Sequence, residues 1–255
     1  MNHLLLWKDF RLFYGSHPRP IKTHSHPVVQ FVIAAQSSFL SRDSSGDWVP
    51  KKGLLIAPNH AHECDANNVP IISLDIDPES SLGEWILNNQ LKSHSIVDYP
   101  STEMTPIDID RFLDHLKSEG WQAIRTMVET TFGFQNSHVS SKKDGRIQDV
   151  LEFISKYIDQ HITSEVLAEV AFLSESRLLH LFKEVMGLPI RNYILWHRLQ
   201  IALELVMDGN SLTAASHGAG FSDQAHMTRT FTKMMGVPPS LIAKNSKFVQ
   251  VSILK

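Results

Sequence analysis

The chain has 255 residues, of which 42% are hydrophobic and 20% are charged, and its formal net charge is −3. This balance excludes an intrinsically disordered chain, and the length predicts two domains or one large one. No apolar run approaches the roughly 18 residues of a spanning helix, and no export signal is recognisable, which predicts a cytoplasmic protein without a membrane partner. The single cysteine, Cys64, excludes an internal disulfide framework.

Residues 1–80 are predicted to form β-strands. Short β-rich segments at 28–34, 53–57 and 71–76 alternate with polar turn segments, and no helical period is sustained. Within this region His24 and His26 are two residues apart, so on a strand both side chains point to one face. Paired histidines on adjacent strands can converge on a metal ion, but a solvated polar strand face has the same spacing.

The motifs HSHPVVQ and PNHAHE resemble the two motifs of a cupin β-barrel. The resemblance places metal ligands at His24, His26 and His62, but Gln30 stands where metal-binding cupins usually have Glu. We therefore expect no cofactor, and any metal would be held by these three histidines. A small-molecule effector pocket inside the barrel is the preferred interpretation. Its predicted lining residues are His24, His26, Gln30 and His62.

Residues 81–135 are predicted to be helical. Apolar residues recur at helical spacing in two stretches separated by Gly120. They are Ile109, Phe112, Leu113 and Leu116 in the first stretch, and Trp121, Ile124 and Val128 in the second. This apolar face packs either against the barrel or against a second subunit, and the sequence leaves both open. The segment is therefore the candidate interface of a homodimer.

Residues 136–145 are polar and lack apolar periodicity, which predicts a linker to a C-terminal domain at 146–255. The charge is polarised along the chain. Residues 1–145 carry 13 basic and 17 acidic side chains, whereas residues 177–255 carry nine basic and four acidic ones. A basic C-terminal region favours an anionic partner such as DNA.

The C-terminal domain contains a duplicated unit. The segment SRLLHLFKEVMGLP, Ser176 to Pro189, recurs in altered form 49 residues later within GAGFSDQAHMTRTFTKMMGVPP, Gly218 to Pro239. Each copy predicts a helix with one apolar stripe for the core. The stripe residues are Leu178, Leu181, Phe182 and Val185 in the first copy, and Met227, Thr230, Phe231 and Met234 in the second.

The outward faces of the two helices carry polar side chains of the kind that read base edges in a DNA major groove. A single amphipathic helix is more typical of a helical bundle, but two copies at fixed spacing indicate paired helix-turn-helix units. Residues 190–208 contain no Gly or Pro and predict a continuous connecting helix. At about 1.5 Å per residue this helix spans roughly 28 Å, close to the 34 Å turn of B-DNA.

Residues 147–245 resemble the DNA-binding domain of the AraC/XylS family of bacterial transcription regulators, through LAEVAFLSESRLLHLFKEVMGLPIRNYI, RLQIALELV, GFSDQAHMTRTF and GVPPS. The resemblance implies base-reading positions on both recognition helices. They are Ser176, Leu179 and His180 in the first unit, and Gln224, Ala225, Thr228 and Arg229 in the second. Lys183 and Lys233 are predicted phosphate contacts or solvated charges, and Arg198 could equally be an internal ion-pair partner.

The predicted fold is therefore a multidomain α+β chain with an N-terminal cupin-like β-barrel, a helical middle segment and an all-α C-terminal domain. The predicted function is sequence-specific regulation of transcription on double-stranded DNA, modulated by a small molecule in the barrel. A metal-dependent cupin enzyme is the alternative, and a helical interaction module without DNA binding is a third class. No nucleophile–base pair or phosphate-binding glycine loop supports an enzyme.

Overall fold

The computed structural model describes residues 2–16, 20–43, 46–135, 144–235, 239 and 249–253. These residues divide into two compact units. Of the described residues, the first unit contains chiefly those up to 135 together with 249–253, and the second chiefly 144–235. Within the described ranges, no helix combines the length and the apolar character needed to cross a bilayer.

The first unit contains two β-sheets. The strands are β1 (Asn2–Leu6), β2 (Phe10–Gly15), β3 (Ile21–His24), β4 (Val29–Ala34), β5 (Phe39–Asp43), β6 (Val49–Lys51), β7 (Gly53–Ile56), β8 (His62–Asp65), β9 (Ile71–Ile76), β10 (Ile96–Tyr99) and β11 (Val249–Ile253). The larger sheet has the order β10-β7-β4-β9-β2-β1-β11 and the smaller has β3-β8-β5-β6. As described, the strands form two separate sheets that are compatible with a cupin-like domain but do not close into one barrel.

The near-continuous apolar sequence of β4 has a structural reason, because both faces of the larger sheet are covered. Phe31 and Ile33 join a core formed with the helices that follow, whereas Val32 and Ala34 join a core shared with the smaller sheet. Successive strand residues point to opposite faces, so a strand covered on both sides needs apolar residues at every position. By the same alternation, Gln30 lies on the same side of β4 as Val32.

Two strands lie outside the predicted β segment 1–80. β10 belongs to the segment predicted as helical and pairs antiparallel with β7, Ile96 opposite Ile56. β11 lies inside the predicted C-terminal domain 146–255 and pairs parallel with β1, Asn2 opposite Val249. Both pairings join distant segments, and the local period of a short strand does not specify its partner.

Helices of the middle segment cover the larger sheet. They are α1 (Ser81–Ile86), continued by a π-helical turn (Leu87–Leu91), then α2 (Ile109–Lys117) and α3 (Trp121–Thr131). The predicted stripe residues Phe112, Ile124 and Val128 are buried in the same core as β4. This face was the candidate dimer interface, and here it packs within the chain, because the larger sheet offers the apolar surface that the stripe requires.

A charged contact fixes α3 to the start of β2. The guanidinium of Arg125 donates to both carboxylate oxygens of Asp9, at 2.8 and 2.7 Å, and its Nε donates to Glu129 at 3.0 Å. These hydrogen bonds raise the pKa of Arg125, with the bond to Asp9 as the largest cause. Such paired, bidentate contacts add geometric specificity to the apolar packing around them.

The second unit is helical. Its helices are α4 (Gly145–Lys156), α5 (Ser164–Val170), α6 (Glu175–Met186), α7 (Ile190–Met207), α8 (Leu212–Gly218) and α9 (Gln224–Met235). Of the predicted linker 136–145, residues 136–143 lie outside the described residues, while Asp144 caps α4 and Gly145 begins it. The predicted continuous helix between the copies is present as α7, whose 18 residues span about 27 Å.

Candidate nucleic-acid interface and ligand site

Local capping starts the recognition helix of each unit. Ser174 precedes α6, and its side chain accepts a hydrogen bond from the backbone N–H of Arg177. Asp223 precedes α9 and accepts from the backbone N–H of His226 at 2.7 Å. Oxygen side chains at this position satisfy amides that have no partner inside the helix. The predicted cap Ser174 is confirmed, and Asp223 rather than Ser222 caps the second helix.

Each helix-turn-helix unit joins its two helices through an equivalent side-chain hydrogen bond. The hydroxyl of Ser164 on α5 donates to Glu175 at 2.5 Å, and the hydroxyl of Thr213 on α8 donates to Gln224 at 2.7 Å. The two pairs are 49 residues apart, which is the offset of the duplication. Sequence reasoning missed this contact, although a hydroxyl residue eleven positions before Glu or Gln occurs in both copies.

The two units also share one turn geometry, with one difference in residue type. After Ala171 and Ala219, the chain enters the left-handed region at Phe172, with φ of 53°, and at Gly220, with φ of 78°. Glycine adopts this conformation without a steric penalty, whereas a bulky residue is strained there. Phe172 is also 92% exposed. The first helix-turn-helix unit therefore has a strained aromatic residue where the second has glycine.

Phe172→Gly is expected to raise the free energy of unfolding by about 0.5–1 kcal/mol. Relief of the left-handed conformation contributes about 1–2 kcal/mol, and the greater freedom of glycine in the unfolded chain removes part of that gain. Urea denaturation of the full chain measures the difference. Gly220→Ala is the matched control and should destabilise, because its Cβ would lie 2.8 Å from the carbonyl oxygen of Ile158. A destabilised Phe172→Gly would contradict the assigned strain.

The inward faces of the recognition helices follow the predicted stripes with one exception. All four predicted residues of α9 and three of α6 are buried. They are Leu178, Leu181 and Phe182 on α6, and Met227, Thr230, Phe231 and Met234 on α9. Val185 was expected in the core but is 37% exposed. It lies two residues before the helix end at Gly187.

The predicted DNA-reading residues lie on the outward sides of α6 and α9. Those of α6 are all exposed, including Leu179 at 39%, and those of α9 are exposed except for the half-buried Thr228. They are Ser176, Leu179, His180 and Lys183 on α6, and Gln224, Ala225, Thr228, Arg229 and Lys233 on α9. Accessible polar side chains on one face of each helix can enter a major groove. Their assignment to particular bases stays a prediction.

Arg229 and Gln224 differ in the hydrogen bonds that they already make within the chain. Arg229 is exposed and makes no hydrogen bond or ion pair with any other described residue, so its guanidinium is available to a ligand. The carbonyl oxygen of Gln224 accepts from Thr213, which leaves the amide N–H groups for recognition. The carboxyl of Asp223 has a lowered pKa, chiefly because it accepts from the backbone of His226, and Arg229 contributes to this shift. Arg229 thus offers an unengaged guanidinium on this face.

Arg198 on α7 has an internal role. Its Nε donates to the backbone carbonyl of Ile158 at 2.8 Å, and a second guanidinium nitrogen donates to the carbonyl of Gln160. These bonds tie α7 to the segment between α4 and α5. Arg198 therefore bonds within the chain, with backbone carbonyl oxygens as its partners in place of the predicted ion pair.

The predicted pocket residues of the β domain come together. His24, His26 and His62 are buried, and their potential ligand atoms all lie within 4.8 Å of one another. His62 Nε2 lies 3.0 Å from Gln30 Oε1, and Gln30 Nε2 donates to Asp75 at 3.3 Å. His62 belongs to the smaller sheet and Gln30 to the larger one, so this contact bridges the two sheets. Burial lowers the pKa of His24, which favours its neutral form.

The hydrogen bonds of the cluster compete with metal binding. Neutral imidazole donates from one nitrogen and binds a metal through the other. Nδ1 of His62 faces the carbonyl oxygen of His60 at 3.0 Å, and Nε2 faces Gln30. An ion would have to replace the His62–Gln30 bond, and Gln30 would offer it a neutral oxygen instead of a carboxylate. The absence of a cofactor stays a prediction.

Cys64 is not a candidate nucleophile. It is buried in the core between the two sheets, and burial raises the pKa of its thiol to about 11. A thiol with this pKa stays protonated at neutral pH, and the thiolate is the reactive form. The one cysteine of the chain therefore contributes packing.

The helical unit matches a known domain family. A helix-turn-helix domain family matches residues 167–245, which include α6, α7, α8 and α9. The arabinose operon regulatory protein is a relative of this chain, matched over 108 residues. Residues 167–245 are an AraC/XylS-type DNA-binding domain. The resemblance inferred from the duplicated segments is confirmed.

Two relatives match this chain to different extents. The probable transcriptional regulator LumQ of Photobacterium leiognathi is 25% identical over 229 residues, covering 85% of this chain and 89% of that protein. The arabinose operon regulatory protein of Salmonella typhimurium is 31% identical over 108 residues, covering 41% of this chain and 38% of that protein. The similarity to LumQ therefore includes both halves of the chain.

The fold is similar to that of ToxT from Vibrio cholerae. The apo form of a ToxT variant aligns with a TM-score of 0.64 at 11% identity, over 93% of this chain and 98% of that one. Wild-type ToxT with a bound unsaturated fatty acid aligns with a TM-score of 0.55 at 11% identity, over 93% and 95% of the two chains. At this identity the similarity establishes the fold alone, an N-terminal β domain followed by a helical domain.

Proposed function

We propose that this protein is a one-component cytoplasmic regulator whose C-terminal domain binds a specific DNA sequence under the control of a small molecule bound by the N-terminal domain. The observation that carries the proposal is the duplicated helix-turn-helix unit. In both copies a hydroxyl group donates to the first residue of the recognition helix, Ser164 to Glu175 and Thr213 to Gln224. Both copies also leave a polar helix face exposed. Two such faces joined by α7 suit successive major grooves of one duplex.

The small-molecule part of the proposal is supported by the cluster of His24, His62 and Gln30 between the two sheets. Such polar groups, convergent within apolar surroundings, are typical of ligand sites. Ligand-bound ToxT, which has the same fold, contains an unsaturated fatty acid. A ligand that separated His62 from Gln30 would alter the contact between the two sheets. Ligand binding could in this way change the conformation of the β domain.

The alternative of a metal-dependent enzyme has one observation in its favour, the proximity of three histidines. The His62–Gln30 hydrogen bond counts against it, because an ion would have to replace that bond. Elemental analysis of the purified full chain separates the two functions. A metal bound in a one-to-one ratio, together with turnover of a substrate, would favour the enzyme.

Selection of bound sequences from a random duplex pool tests the regulator directly. We expect the full chain to enrich a bipartite site whose two elements lie about one helical turn, roughly 10 base pairs, apart. The selection is repeated with an unsaturated fatty acid as the first candidate effector, and a change in affinity for the enriched site identifies modulation. Failure to enrich any sequence under either condition would count against DNA recognition and in favour of a helical interaction module.

A further inference from the structure

A groove of about 640 Å³ opens in the helical unit, between its two helix-turn-helix halves. Its walls come from the segment before α5, from the first half of α7 and from the turn before α9. Both recognition helices border it, α6 through Leu179 and α9 through His226. The groove is therefore continuous with the predicted DNA-reading face and belongs to neither half alone.

Two arginines line the groove, and only one of them is hydrogen-bonded within the described part of the chain. Arg198 is held by the backbone carbonyls of Ile158 and Gln160, and it faces the carboxylate of Asp159. Arg191, in the first turn of α7, is exposed and makes no hydrogen bond or ion pair with another residue of the described ranges. Arg191 is thus the cation of this groove that is available for an anionic partner.

The remaining surface of the groove is mixed in polarity. Buried apolar side chains such as Leu167, Ile194 and Phe221 contribute to it, and His217 stands beside them. A sugar–phosphate backbone has the matching chemistry, since deoxyribose presents apolar atoms and each phosphate carries a negative charge. When two recognition helices occupy successive major grooves, a stretch of this backbone must pass between them.

We propose that this groove binds the DNA backbone between the two half-sites, with Arg191 as the phosphate contact. The proposal rests on the DNA-binding function proposed above and adds a surface that the recognition helices do not include. Contacts to phosphate set the position of a protein on the duplex without selecting bases. Arg191 therefore contributes affinity and register, while α6 and α9 contribute sequence preference.

The salt dependence of binding tests this role. Fluorescence anisotropy measures the affinity of the full chain for its selected duplex, and for single-mismatch duplexes, across a range of salt concentrations. Arg191→Gln should weaken binding to all duplexes by a similar factor. It should also reduce the slope of log affinity against log salt by about 0.9, the value for one lost phosphate contact. Lys117→Gln, which removes an exposed charge from α2, should leave the slope unchanged.

The outcomes separate this proposal from the function on which it rests. If the unmodified chain binds no duplex selectively, the regulator function fails and the groove has no DNA to bind. If the chain binds but Arg191→Gln keeps the original slope, the groove proposal alone is wrong. A changed ranking of the mismatched duplexes would also overturn it, because Arg191 would then read a base. Thermal unfolding of Arg191→Gln, expected to match that of the parent, excludes a folding defect.

Discussion

Arg229→Ala should reduce affinity for the selected operator by about 1–3 kcal/mol, or roughly 5- to 150-fold, and relax the preference at one base pair. Arg229 is exposed on α9 and has no competing hydrogen bond within the described part of the chain. A guanidinium can donate to O6 and N7 of guanine together, so its loss removes a bidentate base contact. Binding assays against the operator and all single substitutions of it measure both effects.

Lys233→Ala is the matched comparison for Arg229→Ala. Lys233 is also exposed on α9, one turn further along, and is a predicted phosphate contact or solvated charge. Its removal should weaken binding to every duplex alike, or have no effect, without altering base preference. If Arg229→Ala behaves in the same uniform way, Arg229 contacts phosphate and the base-reading assignment is wrong.

Phe182→Ala should lower the free energy of unfolding of the helical unit by about 3–5 kcal/mol. Phe182 is fully buried, and its ring meets that of Tyr193 edge to face with 5.6 Å between centroids. It belongs to the core that joins α4, α5 and α6. Truncation would leave a cavity where three helices meet, and the recognition helix would lose its support. Chemical denaturation of the full chain, followed by helical circular dichroism, reports the change.

Val185→Ala provides the control on the same helix. Val185 was predicted to share the stripe of Phe182 but is 37% exposed, so its truncation should cost only about 0.5 kcal/mol. DNA binding should survive in Val185→Ala and be lost in Phe182→Ala at temperatures where the helical unit has unfolded. Equal destabilisation by the two substitutions would mean that Phe182 does not anchor the recognition helix.

The helical unit was predictable in detail because its determinants are local. The cap at Ser174, the left-handed helix end at Gly187 and the stripe of Met227, Phe231 and Met234 all depend on residues within a few turns of one another. The duplication supported each inference, because the same pattern occurs in both copies. The turn at Phe172 departs from this regularity, since its residue type does not reveal the left-handed backbone that the surrounding turn imposes.

The site in the β domain was less predictable. The cupin resemblance grouped His24, His26 and His62, and the structure brings these residues together. The hydrogen bond between His62 and Gln30 was not predictable in this way, because it depends on two sheets meeting. Asp75, which accepts from the Gln30 amide, had no local signal at all. The groove beside Arg191 likewise exists only because segments from both helix-turn-helix halves converge on α7.

The sequence by itself determined the order of the domains, the duplicated helix-turn-helix unit and which faces of α6 and α9 turn outward, because periodicity and capping act over one or two helical turns. Only the tertiary structure decided which surfaces the apolar faces cover. The stripe of Phe112, Ile124 and Val128 suits a sheet or a second subunit equally well, since burial is favourable against any apolar surface. The larger sheet lies beside that stripe in the folded chain, and it is the surface that the stripe covers.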